Sequence, residues 1–187
     1  FPKDTLALTQ TGRSLEVPQT IVESVVAANN NRQNNMAYRV IKACKGSVEG
    51  KKIGVLGVAF KPNTDDVRDA PSLVIIPALQ KAGGEIYAHD PAAQEQAEKQ
   101  LDNIHWEGDP YKVAEGADVL VVITEWNEYR ALNMKRIAES MKTKRLVDMR
   151  NIYKPKIMRE IGFHYIPIGK PEVSGGTEKK QQLRQVS

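Results

Sequence analysis

Asp118-Val119-Leu120-Val121-Val122-Ile123 is the most apolar stretch of the chain. It runs without alternation, which fits a strand buried on both faces, the condition of parallel sheets covered by helices on each side. Working outward, Lys52–Val58 reads as another buried strand, and Glu85–His89, Ile104–Trp106, Arg145–Asp148 and His164–Ile168 as further ones. Helical spacing falls between them, on Ser72–Lys81, Ala92–Gln100, Pro110–Glu115, Met134–Met141 and Lys154–Ile161. Gly83-Gly84 stops the first of these helices, and Pro77 inside it predicts a kink. Strands alternating with helices specify an α/β fold: a Rossmann-like parallel sheet with helices on both faces.

A different pattern precedes the sheet. Ile21, Val22, Val25, Val26, Met36, Val40 and Ile41 recur at three- and four-residue spacing. From Gln19 to about Lys45 this predicts one helix of roughly seven turns, opened by Pro18. Asn29-Asn30-Asn31 and Arg32 interrupt its apolar face. So long a helix is uncommon inside a small domain and is expected to connect domains or form a dimer. Residues 1–15 read as polar and turn-rich. The expected organisation is therefore 1–46 for the leading segment and long helix, and 50–171 for the Rossmann-like domain. Residues 172–187 are expected to form a disordered Gly/Ser/Lys/Gln-rich tail.

Composition narrows the function classes. The net charge is +4, with Lys179, Lys180 and Arg184 in the polar tail rather than on an element with interleaved aromatics. That argues against nucleic acid as partner. No apolar run reaches the ~18 residues of a membrane span. Cys44 is the sole cysteine. It excludes an internal disulfide, fits a reducing cytoplasm, and falls within helical spacing as a buried, inert thiol. His89, His105 and His164 are scattered with no metal-site spacing.

In such a sheet, ligands bind beyond the carboxyl ends of the strands, where strand order reverses. After the first strand comes Ala59–Ser72, a polar loop with Lys61, Arg68, Asp65, Asp66 and Asp69, leading into a helix whose N-terminal amides favour anions. Gly54-x-x-Gly57 lacks the third spaced glycine of a dinucleotide fingerprint. By charge content alone the loop reads as solvated and locally salt-bridged, with Asp65 and Asp66 as loop-shaping partners of Arg68.

Within that loop, Phe60-Lys61-Pro62-Asn63-Thr64-Asp65-Asp66-Val67-Arg68-Asp69-Ala70-Pro71-Ser72 resembles the signature of the UDP-glucose and GDP-mannose dehydrogenase family. Phe1-Pro2-Lys3-Asp4, Thr124-Glu125-Trp126 and Asp148-Met149-Arg150-Asn151-Ile152-Tyr153 follow in the family's order. The resemblance covers about Phe1 to Lys170. It favours the member acting on UDP-glucose over those using GDP-mannose or UDP-N-acetylmannosamine. It implies oxidation of the sugar C6 alcohol to a carboxylate, UDP-glucose to UDP-glucuronate, with two NAD as cofactor. The family passes through a thiohemiacetal and a thioester on a cysteine that stands immediately before Phe-Pro-Lys-Asp. That position precedes Phe1, and the family's NAD-binding domain and the Lys/Asn pair that polarises the alcohol also lie upstream. The chain is therefore expected to be a C-terminal part that is inactive alone, with the missing N-terminal domain and a second copy, through the long helix, as partners. A stand-alone binding or assembly module is the alternative.

The resemblance also assigns residues. Asp4 matches a catalytic aspartate that assists water and proton handling, against a helix cap or a solvated acid. Lys3 and Arg68 match cofactor contacts; Lys3 reads otherwise as solvated. Lys61 matches a nucleotide-sugar contact, as suits a compact ammonium facing ribose hydroxyls or phosphate oxygens. Phe60 packs near the same ligand or is plain core. Arg150 matches a nucleotide-sugar contact able to grip oxygens bidentately, against a local salt bridge to Asp148. Trp126 reads as a stacking platform or as core. Asp90, at the end of the second strand, is not read as an NAD ligand.

Overall fold

The computed structural model describes residues 2–175. Phe1 of the leading motif and residues 176–187 of the expected tail lie outside the described residues. Two helices come first, α1 (Pro2–Ser14) and α2 (Thr20–Ala43). The first corrects the turn-rich reading of residues 1–15. Its polar surface hides a helix that packs on α2, and Arg13 Nε donates to Glu23 Oε1 at 2.8 Å across the hairpin. Only the last third of α2 is buried against the sheet domain, through Ala37, Val40 and Ala43. Its first half leaves Ile21 82% and Val25 55% exposed.

The sheet domain then runs β1 (Lys52–Leu56), α3 (Ser72–Lys81), β2 (Glu85–His89), α4 (Gln94–Ala97), β3 (Ile104–Trp106), α5 (Pro110–Ala114), β4 (Val119–Val122), α6 (Asn127–Arg130), α7 (Met134–Ser140), β5 (Arg145–Asp148), α8 (Pro155–Ile161), β6 (His164–Pro167) and β7 (Val173–Ser174). One sheet joins the strands in the order β3-β2-β1-β4-β5-β6-β7. Strands β1 to β6 pair in parallel, and β7 pairs antiparallel to β6. The order of the first six is that of a dinucleotide-binding sheet, with its reversal between β1 and β4. Every residue of β4 is buried, as the unbroken apolar run requires.

Two expectations change. Strand β7 extends the sheet into residues assigned to the tail, because Tyr165 and His164 offer β6 an outer edge that Val173 and Ser174 cover. The helix expected over 92–100 contracts to α4, while α6 was not expected at all; four residues make one turn, too little for apolar spacing to register. Helix α3 spans Pro77, which lies at an exposed position.

Close packing around β1 depends on missing side chains. A Cβ on Gly54 would stand 2.8 Å from the Val113 carbonyl, so α5 lies directly on the strand. At Gly57 the backbone turns with φ +84, and a Cβ would come within 2.5 Å of Thr124 Cβ. This glycine lets the loops after β1 and β4 touch at the reversal point.

Candidate functional site

The loops at the carboxyl ends of β1, β2, β4 and β5 are tied to one another by side chains. Asp90, which is buried just beyond β2, is the first tie. Its Oδ2 accepts from the backbone N–H of Val58 at 2.7 Å and of Ala59 at 3.0 Å, and from the Trp126 indole Nε1 at 3.1 Å. Its Oδ1 accepts from Ala92 and Ala93 N–H at 3.0 and 2.8 Å. Thr124 adds a second tie, its Oγ1 donating to the Ala59 carbonyl at 2.6 Å. Ser72 Oγ donates to the Val58 carbonyl, also at 2.6 Å, and fixes the start of α3 to the same loop. Phe60 and Lys61 therefore leave a backbone held on both sides. Phe60 is 42% exposed, which removes the plain-core reading. Lys61 is exposed, and among the described residues it has no hydrogen-bond or ion-pair partner.

The third tie joins the loops after β4 and β5. Arg150 Nε donates to Glu125 Oε2, and Nη2 to Oε1 at 2.5 Å, a bidentate pair. This corrects the alternative of a salt bridge to Asp148. The parallel register puts Val122 beside Asp148, so the residues three and two further on meet across the strand ends. Asp148 is fully buried and otherwise engaged: it accepts from Arg150 N–H, from Tyr153 N–H and from the Tyr165 hydroxyl at 2.8 Å. Burial disfavours ionisation of Glu125, but the hydrogen bonds and charge of Arg150 outweigh it and hold the carboxyl below its ordinary value. Trp126 is 7% exposed and anchored through its nitrogen, so it is a core residue of the site's floor rather than an open stacking platform.

Arg68 lies in the outer part of the β1 loop. It grips Asp66 with Nε and Nη2, at 2.9 and 2.8 Å. Hydrogen bonds from Arg68 bring the Asp66 carboxyl down to about 2, and the charge of Lys3 adds to the effect. Asp66 thus shapes the loop, and its carbonyl accepts from Phe60 N–H at 2.9 Å. Asp4 is exposed within the first turn of α1, as the third residue of the chain's described part, and is not its cap. Asp4 and Lys3 stand outside the three ties. Sequence reasoning missed Asp90 and Glu125 as members of the site. Asp90 directly follows β2 and Glu125 lies three residues beyond β4, but their partners come from other loops.

The β1 turn also shows what this domain does not cradle. The amides of Val58 and Ala59, which follow the strand as phosphate-binding amides would, are occupied by the protein's own carboxylate. The residues present do not fit a dinucleotide pyrophosphate at that turn.

The family model described as "UDP-glucose/GDP-mannose dehydrogenase family, UDP binding domain" matches residues 54–155. The chain belongs to this family. It is 48% identical over 172 residues to the UDP-glucose 6-dehydrogenase of Rhizobium meliloti (strain 1021), covering 92% of this chain and 39% of that protein. It is 36% identical over 176 residues to UDP-glucose 6-dehydrogenase TuaD of Bacillus subtilis (strain 168), covering 94% and 38%. Among solved structures, a UDP-glucose dehydrogenase from the hyperthermophilic archaeon Pyrobaculum islandicum superposes with a TM-score of 0.72 at 33% identity, over 83% of this chain and 34% of that one. The chain thus spans about two fifths of the curated relatives' length. The family's UDP binding domain is the sheet domain described above, and its matched range contains the Lys61, Glu125 and Arg150 loops.

Proposed function

We propose that this chain binds a UDP-sugar beyond the carboxyl ends of β1, β4 and β5, as the nucleotide-sugar half of a UDP-glucose 6-dehydrogenase. One observation carries the reading. An unpaired ammonium, Lys61, and a guanidinium held along one edge, Arg150, stand on loops that are tied together at the reversal point of the sheet. A diphosphate offers oxygens to both cations, beyond the strand ends where such sheets bind ligands. Phe60, partly exposed beside Lys61, supplies apolar surface for the nucleoside.

In the whole enzyme, NAD would accept the hydrides leaving C6. Arg68, on the outer part of the β1 loop, and Lys3, on α1, contribute toward it, and the β1 turn itself contributes nothing. Asp4 assists water and proton handling next to the reacting group. Two copies associate through α2, whose exposed apolar residues supply the surface. The protein works in a reducing cytoplasm, where one free buried thiol is at no risk of pairing.

Calorimetric titration of the 187-residue chain with UDP-glucose, UDP and GDP-mannose tests this. The uridine ligands are expected to bind in preference to GDP-mannose. Lys61→Ala is expected to weaken them about tenfold, one charge-assisted hydrogen bond, with no change in melting temperature. Preference for GDP-mannose, or affinity untouched by loss of Lys61, would refute the reading.

A further inference from the structure

Glu125 has no part in the function proposed above, yet its carboxylate takes the whole Nε–Nη2 edge of Arg150. A guanidinium carries five N–H donors in a rigid plane. Two are committed here, which leaves Nη1 and the second Nη2 hydrogen along the opposite edge. We infer that Glu125 is a positioning residue for nucleotide-sugar binding, holding the Arg150 plane fixed so that its free edge is presented to the ligand's diphosphate. The inference rests on the proposed UDP-sugar site and names the group that prepares it.

Both ends of the pair leave hydrogen-bonded backbone. Glu125 sits between two anchored neighbours, Thr124 bound to the Ala59 carbonyl and Trp126 bound to Asp90. The Arg150 backbone is fixed through its N–H to Asp148 Oδ1 at 3.0 Å. The paired side chains are 34% and 26% exposed, so water reaches them only in part and screens them less than a surface pair. An unpaired arginine would lose rotamer freedom on meeting a ligand; here that ordering precedes binding. The pair is neutral overall, whereas the Lys61 ammonium has no counter-charge among the described residues. The opposite role is that of a competitor. A carboxylate occupying the edge that the phosphate needs would have to be displaced, and its removal would then tighten binding.

The two roles predict opposite signs. UDP is titrated calorimetrically into the 187-residue chain, Glu125→Gln, Arg150→Ala and the double variant, with thermal melts alongside. Positioning predicts that Glu125→Gln weakens UDP about tenfold, and that the same change has no further effect when Arg150 is already alanine. Glu125→Asp, which withdraws the carboxylate by one methylene, is expected to move affinity in the same direction, should the glutamine variant fold poorly. Unchanged or tighter binding by Glu125→Gln overturns the inference, and so does an equal loss in the Arg150→Ala background. If the parent chain takes up UDP through Lys61 and Arg150 but ignores Glu125, this inference alone fails. If the parent chain takes up no UDP, the proposed function fails with it.

Discussion

Asp90 accepts from four backbone amides and one indole, drawn from the segments after β1, β2 and β4. A carboxylate with that many donors is stabilised in its charged form even when buried, because each amide supplies what water would have. Replacing it leaves the amides behind. Asp90→Ala is expected to cost about 3 kcal/mol, since buried donors lose an ionised acceptor. Urea denaturation would measure it, and a loss below about 1 kcal/mol would mean that water enters and takes over the amides. Individual site residues were legible from sequence to different depths. Lys61 and Arg150 could be placed on loops after apolar strands, since a strand end fixes where a loop begins. Their partners could not. Arg150 stands two residues from Asp148 in sequence, but its side chain meets Glu125, 25 residues away. The strand register that causes this belongs to the folded sheet and is written in no local pattern.

Among the elements, β1 and β4 fall where apolar runs put them, because a strand buried on both faces has to be apolar nearly throughout, while β2, β3 and β5 also fall where strands were expected although Glu85, His105 and Arg145 interrupt their apolar pattern. Elements shorter than the period that reveals them were invisible, α6 and β7 above all. Helix α1 was hidden for another reason. Leu6 and Leu8 are 51% and 48% exposed, so its apolar residues do not collect on one buried face. The same exposure continues onto α2 at Ile21 and Val25. If α2 is the surface through which two copies associate, charge placed there must separate them. Ile21→Glu with Val25→Glu is expected to shift the chain from dimer to monomer in sedimentation velocity. The monomer's own stability should change by less than about 0.5 kcal/mol per site, as is usual for exposed positions. A parent chain that sediments as a monomer would remove α2 as a dimer surface.

At the scale of the whole molecule, the chain carries the family's UDP binding domain and about two fifths of the length of its relatives. Its one thiol is poorly suited to covalent chemistry. Cys44 is 3% exposed at the end of α2, and burial raises its thiol above the ordinary value, so little thiolate forms near neutral pH. The 187 residues with NAD and UDP-glucose are therefore expected to form no NADH, and Cys44→Ser to make no difference, as followed by absorbance. Sustained turnover, and above all turnover that survives Cys44→Ser, would overturn this. A last consequence concerns association of an unwanted kind. Open sheets invite foreign strands to add at their margins, the route into fibrils. Here one margin is β3, three residues long, and the other is β7, two residues long. The part of β6 that β7 leaves uncovered ends in Pro167, which has no N–H to offer and whose carbonyl already accepts from Arg39 Nη2 at 2.8 Å. A stray strand would find too few free backbone groups at either margin to hold on.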